Sequence, residues 1–253
     1  MVFSSLQFIL IFMPIFFTVY YLTSERYRNA VLLAGSLAFY FAGTINAPVH
    51  FLLFIVSIAA DYTAGIFIEK RQNRKKTILF CTVGFHLICL CIFKYANFVF
   101  GELGKFYHGF PALNEIILPI GISFYTFQGI SYIADVYRGK IKAERNLTNF
   151  AVYISMFPQL IAGPIVTYGE ISDRLKLRKT ALKNVLHGIG IFIFGLGLKV
   201  LLANPLGKLW AQAQAIGFNS LSTPLAWMSA VAFSFQLYFD FFGYSLMAVG
   251  LGE

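Results

Sequence analysis

KRQNRKKTILFCTVGFHLICLCIFKYANFVF, residues Lys70–Phe100, sets five basic side chains against a long apolar run whose single charge is Lys94. A helix that crosses a bilayer needs about 20 mostly apolar residues, because the hydrocarbon layer is about 30 Å thick and each residue rises 1.5 Å. Residues 77–100 meet that requirement. Applying the same criterion outward gives 6–22, 28–43, 48–69, 116–137, 181–203 and 224–250 as further spans. Composition agrees: 58% of the 253 residues are hydrophobic, 12% are charged and 18% are aromatic, with a mean hydropathy of +0.71. A water-soluble domain carries about 25% charged residues. The chain is an integral membrane protein.

The stretch 147–166 is apolar but interrupted by Pro158 and Pro164, which remove backbone donors and break a helix. It reads as a re-entrant or bent segment, tolerable only where protein or water satisfies the freed backbone groups. The expected fold is therefore an all-α polytopic bundle of about seven spanning helices plus that segment. No internal repeat or low-complexity tract interrupts it, so residues 1–253 read as one membrane domain. The loop 101–115, with Gly101, Gly104, Gly109 and Pro111, reads as a short external connection.

Charge position gives the expected topology. Most of the 20 Lys and Arg gather at 26–28, 70–76, 138–145 and 174–183. These loops share one side if 147–166 does not cross, and the positive-inside rule places that side in the cytoplasm and the N-terminus outside. Lys94 and Lys199 lie within spans, near enough to the outer ends to snorkel. The formal charge of +9 is thus topological and supplies no case for nucleic acid. Met1–Ser5 lacks a basic residue and Leu6–Leu22 lacks a cleavage site, so the first helix reads as retained rather than as a signal peptide. Cys81, Cys89 and Cys91 share one apolar stretch and read as small core hydrophobes.

No phosphate-binding GxxxxGK[ST], CxxC or HExxH occurs, and His50, His86, His108 and His187 lack ligand spacing, so no metal site is expected. Gly188, Gly190, Gly195 and Gly197 lie inside a span, where small residues allow close helix packing. Polar groups within spans are more informative, because a charge at the bilayer centre costs about 2.5–3.5 kcal/mol on insertion scales. Gln236, Asp240 and Tyr244 recur every fourth residue and form one stripe. Tyr125, Gln128, Tyr132 and Asp135 likewise share a face. These groups either line a polar path or bond one another and hold helices together. Asp61 and Asp135, nearer the basic loops, read as structural.

Four blocks occur in order: MVFSSLQFILIFMPIFFTVYYL at 1–22, LPIGISFYTFQGISYIADVYRG at 118–139, FPQLIAGPIV at 157–166 and YFDFFGYSLMAVGLG at 238–252. Together they resemble the membrane-bound O-acyltransferase family, in the branch of the alginate O-acetyltransferase membrane subunit. The resemblance covers the whole chain. It implies a ring of helices around a thin floor, entered by funnels from both faces. It implies that an acyl group from acetyl-CoA or another acyl thioester passes from the cytoplasm to hydroxyls of an extracellular polysaccharide such as alginate. No bound cofactor is implied; accessory acetylation proteins and a bacterial inner membrane are. Gln128, Gln159, Tyr238 and Asp240 match motif positions and are the substrate-path candidates.

The family's tunnel histidine, implied to act as general base on the acceptor hydroxyl, follows the YFDF block on a later helix. This chain ends at Glu253, and none of its four histidines has a matching context. Phe242 stands where a small Ser is usual and Leu246 where an Asp is usual. No catalytic residue is assigned, and the expectation is a truncated, inactive N-terminal half. A non-catalytic scaffold or remnant, D-alanyl transfer to teichoic acid, and a transporter are the competing readings.

Overall fold

The computed structural model describes residues 3–106, 116–160, 166–176, 181–217 and 220–253, with Arg174 and Lys176 described for their backbone alone. Every regular element among them is helical. After a π-helical turn at Phe8–Phe12 come α1 (Met13–Leu22), α2 (Arg28–Gly43), α3 (Pro48–Lys70), α4 (Lys75–Phe106), α5 (Ile122–Tyr137), α6 (Leu147–Ser155) and α7 (Phe157–Leu160). Then follow α8 (Tyr168–Lys176), α9 (Leu182–Gly197), a π-helical segment at Leu198–Ala203, α10 (Asn204–Ile216) and α11 (Thr223–Gly252).

Among the described residues, four stretches are long and apolar enough to cross a membrane: Pro48–Lys70, Gln72–Lys105, Leu182–Ile216 and Thr223–Gly252. The other three expected spans are helical but shorter. Phe8–Leu22 is one. The others are α2 and α5, each of 16 residues, which rise about 24 Å. The expected 116–137 span shrinks at its own LPIG sequence, because Gly121 adopts a left-handed φ of 71°. A side chain there would also meet the Leu160 carbonyl oxygen at 2.4 Å. The expected 181–203 span instead runs on through the π-helical segment to Ile216. The external connection expected at 101–115 lies partly outside the described residues; its first part, through Phe106, continues α4.

By its internal contacts the chain falls into two compact units, one of residues 1–18, 162–164 and 179–253, the other of 19–161 and 165–178. In the larger unit α3 packs on α4, α5 and α6, and α2 packs on α6. The described part of the bent segment, 147–160, is largely buried here. Asn146 caps α6 by accepting from Thr148 N–H at 2.9 Å and Asn149 N–H at 3.3 Å. The helix stops at Ser155, since Pro158 cannot donate to the Ile154 carbonyl and its ring would clash there. Phe157 N–H turns instead to Ser36 Oγ at 3.2 Å. Asn29 Nδ2 donates both to Asn149 Oδ1, 2.8 Å, and to Leu175 O, 3.1 Å. Asn149 and Leu175 therefore stand at the same end of the larger unit. The stretch Ala162–Gly163–Pro164 lies outside the described residues.

In the smaller unit α9 and α11 run antiparallel, glycine against glycine. A Cβ on Gly188 would meet Gly250 O at 2.5 Å, and one on Gly195 would meet Gly243 O at 2.5 Å. Both pairs are seven residues apart, two helical turns, so they fall on one seam. Gly190 and Gly197 face open space. Packing, not nucleotide binding, accounts for the glycines that meet α11. Gly195→Ala is expected to destabilise the chain by about 1–3 kcal/mol, read as a lower thermal midpoint in detergent. Gly190→Ala should leave the midpoint unchanged; equal midpoints for the two variants would remove the seam.

Candidate functional site

The stripe expected on α11 is present and acquires partners within the smaller unit. Asp240 Oδ1 accepts from Lys199 Nζ. Lys199, read from sequence as snorkelling outward, instead turns inward. It sits in the π-helical segment Leu198–Ala203, whose wider turn holds one residue more than an α turn and re-aims the side chains around it. The pair has no net charge, which lowers the cost of keeping either ion in a span. Gln236 lies one turn away against Gly207, where a Cβ would approach its amide nitrogen to 3.0 Å. Its Oε1 has no partner, and neither does the buried Tyr244 hydroxyl, whose ring stacks on Phe3 at 4.5 Å. Tyr238 is 57% exposed and stacks on Phe242. Two residues from Asp240 on a helix, it points to the other side, so motif adjacency does not make it part of this cluster.

Gln128 and Gln159 belong to the larger unit. Gln128 is 2% exposed with Oε1 unpartnered, and Gln159 Oε1 is likewise buried without a partner. Tyr125, Gln128 and Tyr132 form the expected buried face of α5, whereas Asp135 sits at its end and pairs with Lys140 at 3.5 Å.

Beside this face lies a pair that sequence reasoning missed. Asp61 Oδ1 and His86 Nε2 are 2.7 Å apart, with both side chains 1% exposed. Their helices are consecutive, and the two residues stand nearly equally far from the Lys70–Lys76 loop. A hairpin of two helices would place them at one depth, which is the signal that could have found them. Asp61 Oδ2 has no hydrogen-bond partner and lies against Gly129, whose Cβ would approach it to 2.2 Å. One turn along α3, Gly65 receives the Tyr132 ring, which a Cβ would meet at 2.8 Å. Each helix thus offers one polar knob and one glycine hole.

The interlock extends outward. The Tyr132 hydroxyl accepts from Glu144 N–H at 2.9 Å, and the Glu144 carboxylate accepts from the Tyr168 hydroxyl. Burial, reinforced by that carboxylate, holds the Tyr168 phenol above its ordinary pKa, so it remains a donor. The other described histidines are placed too: His50 meets the Phe93 ring edge-on and His187 Nδ1 meets Glu253 at 2.5 Å. His108 lies outside the described residues. Among the described residues no three His, Cys, Asp or Glu gather to hold a metal ion.

No protein-family model matches the chain. All of it aligns, at 39% identity, with a probable alginate O-acetylase AlgI of Pseudomonas aeruginosa, of which it covers 49%. All of it also aligns at 30% identity with a peptidoglycan O-acetyltransferase of Helicobacter pylori, covering 54% of that protein. A teichoic acid D-alanyltransferase of Lacticaseibacillus rhamnosus matches 58% of the chain at 32% identity. The chain spans about half the length of the first two.

His86→Leu, which leaves the Asp61 carboxylate buried and alone, is expected to cost about 3–5 kcal/mol. Adding Asp61→Asn should recover most of that loss, as read by chemical denaturation in mild detergent. Additive losses in the double variant would mean that the two side chains are not coupled.

Proposed function

We propose that the chain, which aligns along its whole length with about half of the alginate O-acetylases, belongs with the membrane-bound O-acyltransferases and forms part of an enzyme acylating an extracellular polysaccharide. The 39% identity along the whole chain is the observation that carries this reading. The donor is an acyl thioester, acetyl-CoA or a relative of it, on the cytoplasmic side. The acceptor hydroxyl oxygen attacks the acyl carbonyl, the carbon–sulfur bond breaks, and the thiol leaves with the hydroxyl's proton. A general base outside this chain's assigned residues removes that proton.

In this reading the chain supplies walls rather than the base. In the smaller unit Lys199 and Asp240 keep a polar surface within the membrane at no net charge, beside the unpartnered Gln236 oxygen. In the larger unit, taken by itself, Gln128 and Gln159 present oxygens without partners. Such surfaces suit a passage that admits hydroxyls and thioesters while limiting the water that would hydrolyse the donor. Tyr238 belongs to the site only through its motif position. The cytoplasmic placement of the basic loops, the N-terminus outside, a bacterial inner membrane and accessory acetylation proteins form part of the same proposal. Peptidoglycan is the second acceptor class, favoured by the match of the whole chain to about half of an O-acetyltransferase of that name. D-alanyl transfer ranks lower because that match covers little more than half the chain.

The test is acetyl transfer in membranes containing the whole gene product, with labelled acetyl-CoA and either alginate or peptidoglycan. Label should enter one polymer as a base-labile ester. Asp240→Asn should cut that transfer at least about tenfold, a loss of about 1.4 kcal/mol, at unchanged protein level. Transfer to neither polymer would sink the acceptor assignment, and full activity in Asp240→Asn would remove Asp240 from the passage.

A further inference from the structure

Residues 138–146, joining α5 to α6, include no helix, yet side chains from two helices fix the stretch. Tyr62 donates its hydroxyl proton to Arg145 O at 2.6 Å. Glu69 accepts from Ala143 N–H at 3.0 Å, and Tyr132 accepts from Glu144 N–H at 2.9 Å. With Tyr168 and Ser172 of α8, residues 141–145 wall a cleft of about 350 Å³. Ligand pockets begin at about this size. The cleft lies wholly within the larger unit, along the basic loop 138–145.

The glutamates around the cleft are engaged by the protein itself. Glu144 accepts from Asn146 N–H at 2.7 Å and from the Tyr168 hydroxyl. Glu69 also pairs with Arg145 Nη2 at 3.1 Å, and Glu170 accepts from Thr167 N–H at 3.0 Å. The donors are less occupied. Among the described residues Lys142 makes no ion pair or hydrogen bond, whereas the neighbouring Lys140 is held by Asp135. Arg145 is half exposed and meets Glu69 through Nη2 alone. The Ser172 hydroxyl has only a long 3.4 Å bond to Gly169 O. The unused hydrogen-bonding capacity of the cleft is therefore cationic and donating, on a backbone already held in place.

We propose that this cleft binds a phosphate group, with Lys142 as its point charge, Arg145 as its forked donor and Ser172 as a neutral donor. Ammonium and guanidinium groups together suit an oxyanion with several acceptor oxygens. Preformed walls lower the ordering cost of binding. A soluble phosphate-bearing molecule or the headgroup of an anionic lipid could bring that group. The inference does not depend on acyl transfer and stands or falls separately.

The experiment places the whole chain in phosphatidylcholine nanodiscs and titrates inorganic pyrophosphate by calorimetry. A parallel set of discs contains phosphatidylglycerol and is followed by thermal midpoint. Saturable pyrophosphate binding should weaken about tenfold in Lys142→Glu, 1.4 kcal/mol, recover in Lys142→Arg, and persist in Lys208→Glu. Lys142 is free of contacts the fold needs, and Lys208→Glu makes the same charge change on another element. If pyrophosphate does not bind but phosphatidylglycerol raises the midpoint through Lys142, the phosphate belongs to a lipid. Absence of both effects, or an equal response of Lys142→Glu and Lys208→Glu, overturns the site.

Discussion

The larger unit turns on a carboxylate that has nowhere to go. Asp61 is almost wholly buried; one oxygen is held by His86 and the other is pressed against the bare backbone of Gly129. A polar group removed from water must be matched inside the protein or its desolvation goes uncompensated. This requirement fixes α3, α4 and α5 together more tightly than apolar contact, since apolar surfaces slide and a hydrogen bond does not. Tyr132 in the hole at Gly65 repeats the arrangement a turn away and carries it to the Glu144 backbone. The packing of three helices and the shape of an irregular loop thus follow from a few polar atoms.

The smaller unit solves the same problem with different parts. Its long helices expose much apolar surface and approach through glycine, where no side chain separates the backbones. Close approach brings Lys199 within reach of Asp240. Glycine and charge are therefore coupled here: without the seam the two ions would stand further apart in a medium that tolerates neither alone.

Much of this was legible in the sequence, and the failures have physical causes. Long apolar runs marked every helix that could cross a membrane, because hydropathy reports burial in lipid directly. Helix length was misjudged at 116–137, where a left-handed glycine ends the helix without changing the hydropathy. The seam was anticipated as packing, though not that only Gly188 and Gly195 would face α11, which needs the partner helix. The pairing of Asp61 with His86 escaped notice because it joins residues 25 positions apart in sequence. Lys199 was sent outward because a regular helix was assumed. Tyr238 shared a motif with Asp240, but a motif is contiguous in sequence and a helix face is not.

The π-helical segment at Leu198–Ala203 makes the chain unusually sensitive to length at that point. A wide turn of this kind holds one residue more than the ladder of an α-helix can. Deleting one residue there would close the wide turn into a regular α-helical one, leaving the helices on either side near their present phase and re-aiming the side chains within the segment. Lys199, inside the segment, would be turned from Asp240, whereas Gly207, beyond it in α10, would keep its place against Gln236. Hydropathy, composition and helix length would be almost unaltered. The meeting of Lys199 with Asp240 therefore depends on the number of residues in this segment as much as on their type.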